Sequence, residues 1–216
     1  KNLSVEEILI RSSNVGSVIL GKKIGHQKFK EFIDSTKLIK SPELEIEEVG
    51  VPHKIKWDKC KLETVSFGHG ITTTPVQAAS IYAAIANGGK LVKPSLIQNR
   101  KSKVTKNLIS PETSKTMSGI LRKVVSDKEG TAHLADKDGY YVGGKTGTAE
   151  SYGNKKNRIN TFISIFPTNK PKYTLLVMLE NPQINQDLIY DYRGIKTKAP
   201  YNTSGWNSVY VAGKII

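Results

Sequence analysis

Hydrophobic positions over residues 4–37 recur at helical spacing. Ser4 to Arg11 predicts a helix, with Ser4 as N-cap and Glu7 three residues on completing a capping box. The pattern breaks at Ser12-Ser13-Asn14. It resumes with Val15, Val18, Ile19 and Ile24, is interrupted at Gly25, and continues through Phe29, Phe32 and Ile33 to about Lys37. Residues 40–62 are polar, carry Pro42 and Pro52, and predict a long loop. Thr74 and Pro75 then mark a helix start, and Asn87-Gly88-Gly89 its stop. Between them Ala78, Ala79, Ala83, Ala84 and Ala86 predict a helix packed tightly in the interior. Residues 91–109 suggest short extended pieces. Ser110-Pro111-Glu112 opens a helix to about Ser126, with Met117, Ile120, Leu121 and Val124 spaced for one buried face.

After Gly139 the period changes. Tyr140–Ala149, Asn160–Phe166 and Tyr173–Leu179 predict three strands, the last apolar enough to be buried on both faces. The links at 151–159 and 167–172 are too short for parallel crossovers, so the strands should pair as antiparallel hairpins. Residues 181–203 read as a loop whose Tyr190, Tyr192 and Tyr201 either border the cleft or cover core, with the core reading favoured. Ser204 to Ile216 closes the chain with an amphipathic helix. No repeat or low-complexity tract interrupts this plan.

Composition narrows the picture. The 216 residues, 24% charged and 38% hydrophobic, can build a real core. No run of 18 apolar residues is present, and no signal peptide is visible. The chain opens at Lys1 directly into a helix, as expected of a piece of a longer protein. Its net charge is +14, but lysines outnumber arginines 28 to 5 and are scattered through every segment. That distribution argues against a nucleic-acid partner. Cys60 alone cannot form an internal disulfide, and His26, His53, His69 and His133 lie far apart, so no metal and no cofactor is expected.

Two chemistries fit "GYYVGGKTGTAES". Gly139 to Thr146 satisfies G-x-x-x-x-G-K-[ST], a loop that holds nucleotide phosphates. Lys145-Thr146-Gly147 is also the K-T-G box of serine acyl-enzymes. A phosphate loop needs a buried strand before it and a helix opening at the Lys-Thr. Here Ala135 to Gly139 is polar turn material, and Gly147 to Asn154 holds poor helix formers and two glycines. The acyl-enzyme box needs Lys145 on an edge strand, with Gly147 leaving room for a peptide to add alongside. It also needs a polar S-x-N box, and Ser12-Ser13-Asn14 supplies one at a break between helices.

With both boxes in view, the chain resembles the transpeptidase domain of class B penicillin-binding proteins, in particular the division-type enzymes. The matching stretches are "RSSNVGSV", "FGHGITTTPVQAASIYAAIANGGKLVKP", "EGTAHLA", "VGGKTGTAES" and "SGWNSVYVAGKII". The resemblance implies an α+β fold, an antiparallel sheet with helices on both faces. Residues 1–135 would form its mainly helical part with S-x-N, and residues 136–216 the K-T-G strand, its antiparallel partners and the last helix. It implies a D,D-transpeptidase that cross-links peptidoglycan stem peptides, is trapped by β-lactams, works with divisome membrane proteins and faces the periplasm from the inner membrane. Catalytic roles would fall to Ser12 and Lys145. Asn14, Thr146, Gly147 and Thr148 would bind substrate or drug, and the Thr148 N–H would form half of an oxyanion hole.

One departure is large. The family's nucleophile is the serine of S-x-x-K, and no serine in this chain is followed by lysine three residues later. The resemblance places that box upstream of Lys1, together with the first strands of the sheet and the nucleophile helix. This stretch alone is therefore expected to be inactive, and its unpaired sheet edge to favour self-association. A non-catalytic penicillin-binding relative kept for interaction is the reading from another class.

Overall fold

The structure, a computed structural model, describes residues 2–101, 103–151 and 157–216. The chain divides into two compact units. One takes in Leu9 and the residues before it together with Ser13–Met117; the other comprises Ile10–Ser12 and Ser118–Ile216.

The first unit is mainly helical. Helix α1 (Val5–Ile10) starts under the expected capping box: the Ser4 N–H donates to Glu7 Oε2 at 2.8 Å and the Glu7 N–H to Ser4 Oγ at 3.2 Å. Helix α2 (Asn14–Ile24) is capped by Ser13, whose Oγ accepts from the Gly16 N–H. Gly25, at φ +85°, separates it from α3 (His26–Thr36). The stretch read as one long loop to residue 62 ends earlier, at a short helix α4 (Lys61–Ser66) that packs on α2. Six residues are too few for a hydrophobic period to stand out. Helix α5 (Pro75–Ala86) begins where Thr74 and Pro75 place it, with Thr74 Oγ1 accepting from the Gln77 N–H. Of its alanines Ala84 is buried and the others are half-buried, so the expected tight packing in the interior is corrected: a small side chain permits close packing without requiring it. Strands β1 (Lys90–Val92) and β2 (Val104–Asn107) form an antiparallel pair beside α5.

Helix α6 (Pro111–Ser126) carries Leu121, Val124 and Val125 into the core of the second unit. A 3-10 turn at His133–Ala135 follows. Then come β3 (Gly143–Ser151), β4 (Asn157–Phe166) and β5 (Tyr173–Glu180), antiparallel in the order β3-β4-β5. The link between β3 and β4 lies outside the described residues. Strand β4 is central and buries Asn160, Phe162, Ser164 and Ile165. Strand β5 departs from expectation. Only Val177 is buried, and Tyr173 is 61% and Met178 49% exposed. Its outer edge has no partner among the described residues.

Residues 181–203 are not a plain loop. They contain a hairpin, β6 (Tyr190–Tyr192) and β7 (Ile195–Thr197). Its two-residue turn, Arg193-Gly194, has φ of +55° and +79°, the left-handed pair that short hairpins favour. Tyr190 is buried and packs edge-on against Trp206 and Tyr210, as a core-covering role requires, whereas Tyr201 is exposed. Helix α7 (Ser208–Ile215) starts later than Ser204 and lays Val209 and Ala212 on β4 and β5.

Candidate active site

Strand β3 pairs with β4 from Gly143 opposite Ile165 to Ser151 opposite Asn157, with Lys145 opposite Ile163. Its other edge has no partner among the described residues. The strand's entry is fixed from below: Val142 is fully buried, and its carbonyl accepts from Arg122 Nη1 at 2.8 Å. The same nitrogen donates to Asp136 Oδ1 at 2.8 Å. Pleating then puts Lys145 and Gly147 on one face and Thr146 and Thr148 on the other.

The lysine meets the predicted serine. Lys145 Nζ donates to Ser12 Oγ at 2.7 Å and to its neighbour's carbonyl, Thr146 O, at 3.1 Å. Ser12 sits in the turn between α1 and α2 at φ +55°, a left-handed conformation uncommon for serine. Arg11 beside it pairs with Glu129 at 3.4 Å, tying this turn to the segment after α6. Burial lowers the Lys145 pKa to about 8, because the ammonium loses hydration. A lysine so placed is mostly cationic at neutral pH, yet it can pass a proton to and from the serine hydroxyl.

The threonines are held by residues to which the sequence reading gave no role. Thr146 Oγ1 lies 2.8 Å from Thr131 Oγ1. Thr148 Oγ1 lies 3.2 Å from Ser204 Oγ and accepts from the Ser204 N–H at 3.3 Å. Both partners sit inside stretches that carried the resemblance, "EGTAHLA" and "SGWNSVYVAGKII", and that overlap was the signal available. At Gly147 an added Cβ would meet nothing nearer than Thr161 O at 4.0 Å, so that face of the strand is open. Asn14 is the exposed first residue of α2 and belongs to the other compact unit. Ser12, Lys145, Thr146 and Thr148 are thus brought together within one unit.

This geometry disposes of the phosphate-loop alternative. Lys145 and Thr146 lie inside a strand, and among the described residues no helix follows until Ser208. The N-terminal amides that would cradle phosphate are therefore missing from that position. Among the described residues no three His, Cys, Asp or Glu side chains cluster to hold a metal.

Comparison with known proteins agrees with the geometry. Residues 1–202 match the family model described as the penicillin binding protein transpeptidase domain. A Caulobacter vibrioides protein named "Probable peptidoglycan D,D-transpeptidase FtsI" is 30% identical over 99% of this chain and 37% of its own length. The "Peptidoglycan D,D-transpeptidase FtsI" of Escherichia coli is 29% identical over 92% of this chain and 34% of its own. The chain thus spans about a third of the length of such relatives. Among solved structures, the transpeptidase domain of Burkholderia pseudomallei penicillin-binding protein 3 superposes with a TM-score of 0.81 at 22% identity. That match covers 98% of this chain and 62% of the other. Penicillin-binding protein 3 of Mycobacterium tuberculosis, complexed with ampicillin, gives 0.79 at 23% identity over 98% and 50%. At these identities the structural matches establish the α+β fold.

Proposed function

The chain belongs to the penicillin-binding protein transpeptidase domain family, and from that premise we propose that it supplies the second and third active-site boxes of a serine D,D-transpeptidase. The observation that carries the reading is the 2.7 Å hydrogen bond from Lys145, in the middle of an edge strand, to Ser12. The nucleophilic serine and its lysine come from residues outside this chain.

The nucleophile's oxygen attacks the carbonyl carbon between the two D-alanines of a stem peptide. The C–N bond breaks, and the departing D-alanine amine takes a proton through Ser12. An amine from a neighbouring stem then attacks the serine ester, the C–O bond breaks, and the serine regains its proton. Lys145 orients Ser12 and supplies positive charge. Asn14 holds the substrate backbone, Thr146 and Thr148 its carboxylate. The Thr148 N–H serves as half of the oxyanion hole. The substrate lies along the open edge of β3, where Gly147 leaves room. β-Lactams acylate the same serine. Residues 1–135 form the helical part with S-x-N and residues 136–216 the part with K-T-G.

The cellular setting follows from the same reading: septal wall synthesis beside divisome membrane proteins, on the periplasmic side of the inner membrane. Among the described residues no helix is long and apolar enough to cross a membrane. A fluorescent penicillin tests the assignment. The full-length protein should label covalently, and its Lys145→Ala variant should not. Residues 1–216 alone should stay unlabelled; stoichiometric labelling of that piece would overturn the placement of the nucleophile.

A further inference from the structure

We infer that Ser204 is a positioning residue that aims the hydroxyl proton of Thr148 at a ligand carboxylate. The inference rests on the transpeptidase reading and assigns a role to a residue outside both active-site boxes. Ser204 is almost wholly buried, at 2% exposure, whereas Thr148 is exposed on the edge strand. The carbonyl of Ser204 is taken by α7, accepting from the Val209 N–H at 3.0 Å and from Ser208 Oγ at 3.2 Å. Its two donors face Thr148 instead: the N–H at 3.3 Å and the hydroxyl at 3.2 Å from Thr148 Oγ1.

A buried hydroxyl must donate its proton or bear the cost of an unmade bond. For Ser204 the acceptor in reach is Thr148 Oγ1. The Thr148 oxygen then receives two hydrogen bonds and has one proton left to give. Among the described residues Thr148 Oγ1 has no second side-chain partner besides Ser204, and that proton turns outward. Two donors into one hydroxyl also polarise it, which strengthens what it donates in turn.

The segment that presents Ser204 is held tightly. Asn202 Oδ1 accepts from Asn160 Nδ2 at 3.3 Å and Asn207 Nδ2 at 3.0 Å. Next to Ser204, a Cβ on Gly205 would stand 2.8 Å from the carbonyl of Thr131, the residue that holds Thr146. Both carboxylate-reading threonines are therefore set by one close backbone contact, which only glycine at position 205 permits.

Competition against fluorescent-penicillin labelling of the full-length protein tests this, using benzylpenicillin and its methyl ester. In Ser204→Ala the benzylpenicillin concentration that halves labelling should rise about three- to tenfold, the range of one neutral hydrogen bond. The ester, which lacks the charged acceptor, should shift less than about twofold. Ser204→Cys keeps a weak donor of similar size and should fall between, and it serves as the test if the alanine variant does not fold. Equal shifts for acid and ester, or none for either, would overturn the positioning role. Failure of the unsubstituted protein to label at all would instead remove the transpeptidase reading beneath it.

Discussion

Lys145 should titrate far below an ordinary lysine. Burial takes its pKa from the ordinary 10.5 to about 8. At pH 7 about one Lys145 in ten is then a free amine, against about one in three thousand for an ordinary lysine. Pulse acylation with an amine reagent across pH 6 to 11, read peptide by peptide by mass spectrometry, measures this directly. Burial slows the reaction at every pH, but the midpoint of the profile reports the pKa alone. Removing Ser12 sharpens the case. Its oxygen accepts from the Lys145 ammonium at 2.7 Å, which favours the charged form, so Ser12→Ala should move the midpoint lower still. A hydrogen bond to a charged group is worth about 1.5 kcal/mol at the low end, the end that suits an exposed serine, so the further drop is about one unit.

The same shift fixes a stability trend. A lysine whose folded pKa lies below its unfolded value penalises folding wherever both states are protonated, here below pH 8. The penalty is relieved as pH rises from 8 towards 10.5, because the unfolded chain then binds more protons. The full swing is at most about 3 kcal/mol, reduced by whatever solvent the amine retains. Native protein should gain on Lys145→Met across that window. A Lys145 midpoint near 10.5, or one that rises in Ser12→Ala, would refute the reasoning.

Two further outcomes are expected. Gly144→Ala would put a Cβ 2.5 Å from the carbonyl of Ile163 and 2.7 Å from the ring of Phe162, both fixed in the central strand. Overpacking of that kind costs about 3 kcal/mol and should lower the melting temperature by about 6–12 °C; an unchanged melt would show that β3 can shift away from β4. Residues 1–216 in isolation should self-associate through the unpaired edge of β5, where Tyr173 and Met178 are exposed, and Met178→Lys should reverse this. A strictly monomeric species in sedimentation at high concentration would count against that edge as a pairing surface.

What the sequence made legible was local chemistry. Thr74 with Pro75, Ser4 with Glu7 and the Gly25 break each act through backbone groups a few residues away, and each stands where its pattern put it. The antiparallel sheet was legible because link length alone forbids parallel crossovers. What failed depended on the environment. An apolar run such as Tyr173–Glu180 has the same composition whether it lies at the centre or the margin of a sheet, and only its neighbours decide. The β6–β7 hairpin was hidden because its Arg193-Gly194 turn lacks the Asn-Gly or Asp-Gly signal, although glycine at the second position was a cue.

The site divides in the same way. Three serines near the start of the chain had equal claims to cap a helix. Ser4 and Ser13 do so, each accepting from an N–H three residues on. Ser12 does not. Its left-handed φ carries it out of helical register, and its hydroxyl goes instead to a lysine 133 residues away. Ser12 holds that conformation between Arg11, which pairs with Glu129, and Ser13, which caps α2. The spacing S-x-N thus has a physical reading beyond its letters. The first serine bonds the strand lysine, the second starts the helix, and Asn14 becomes the exposed first helical residue.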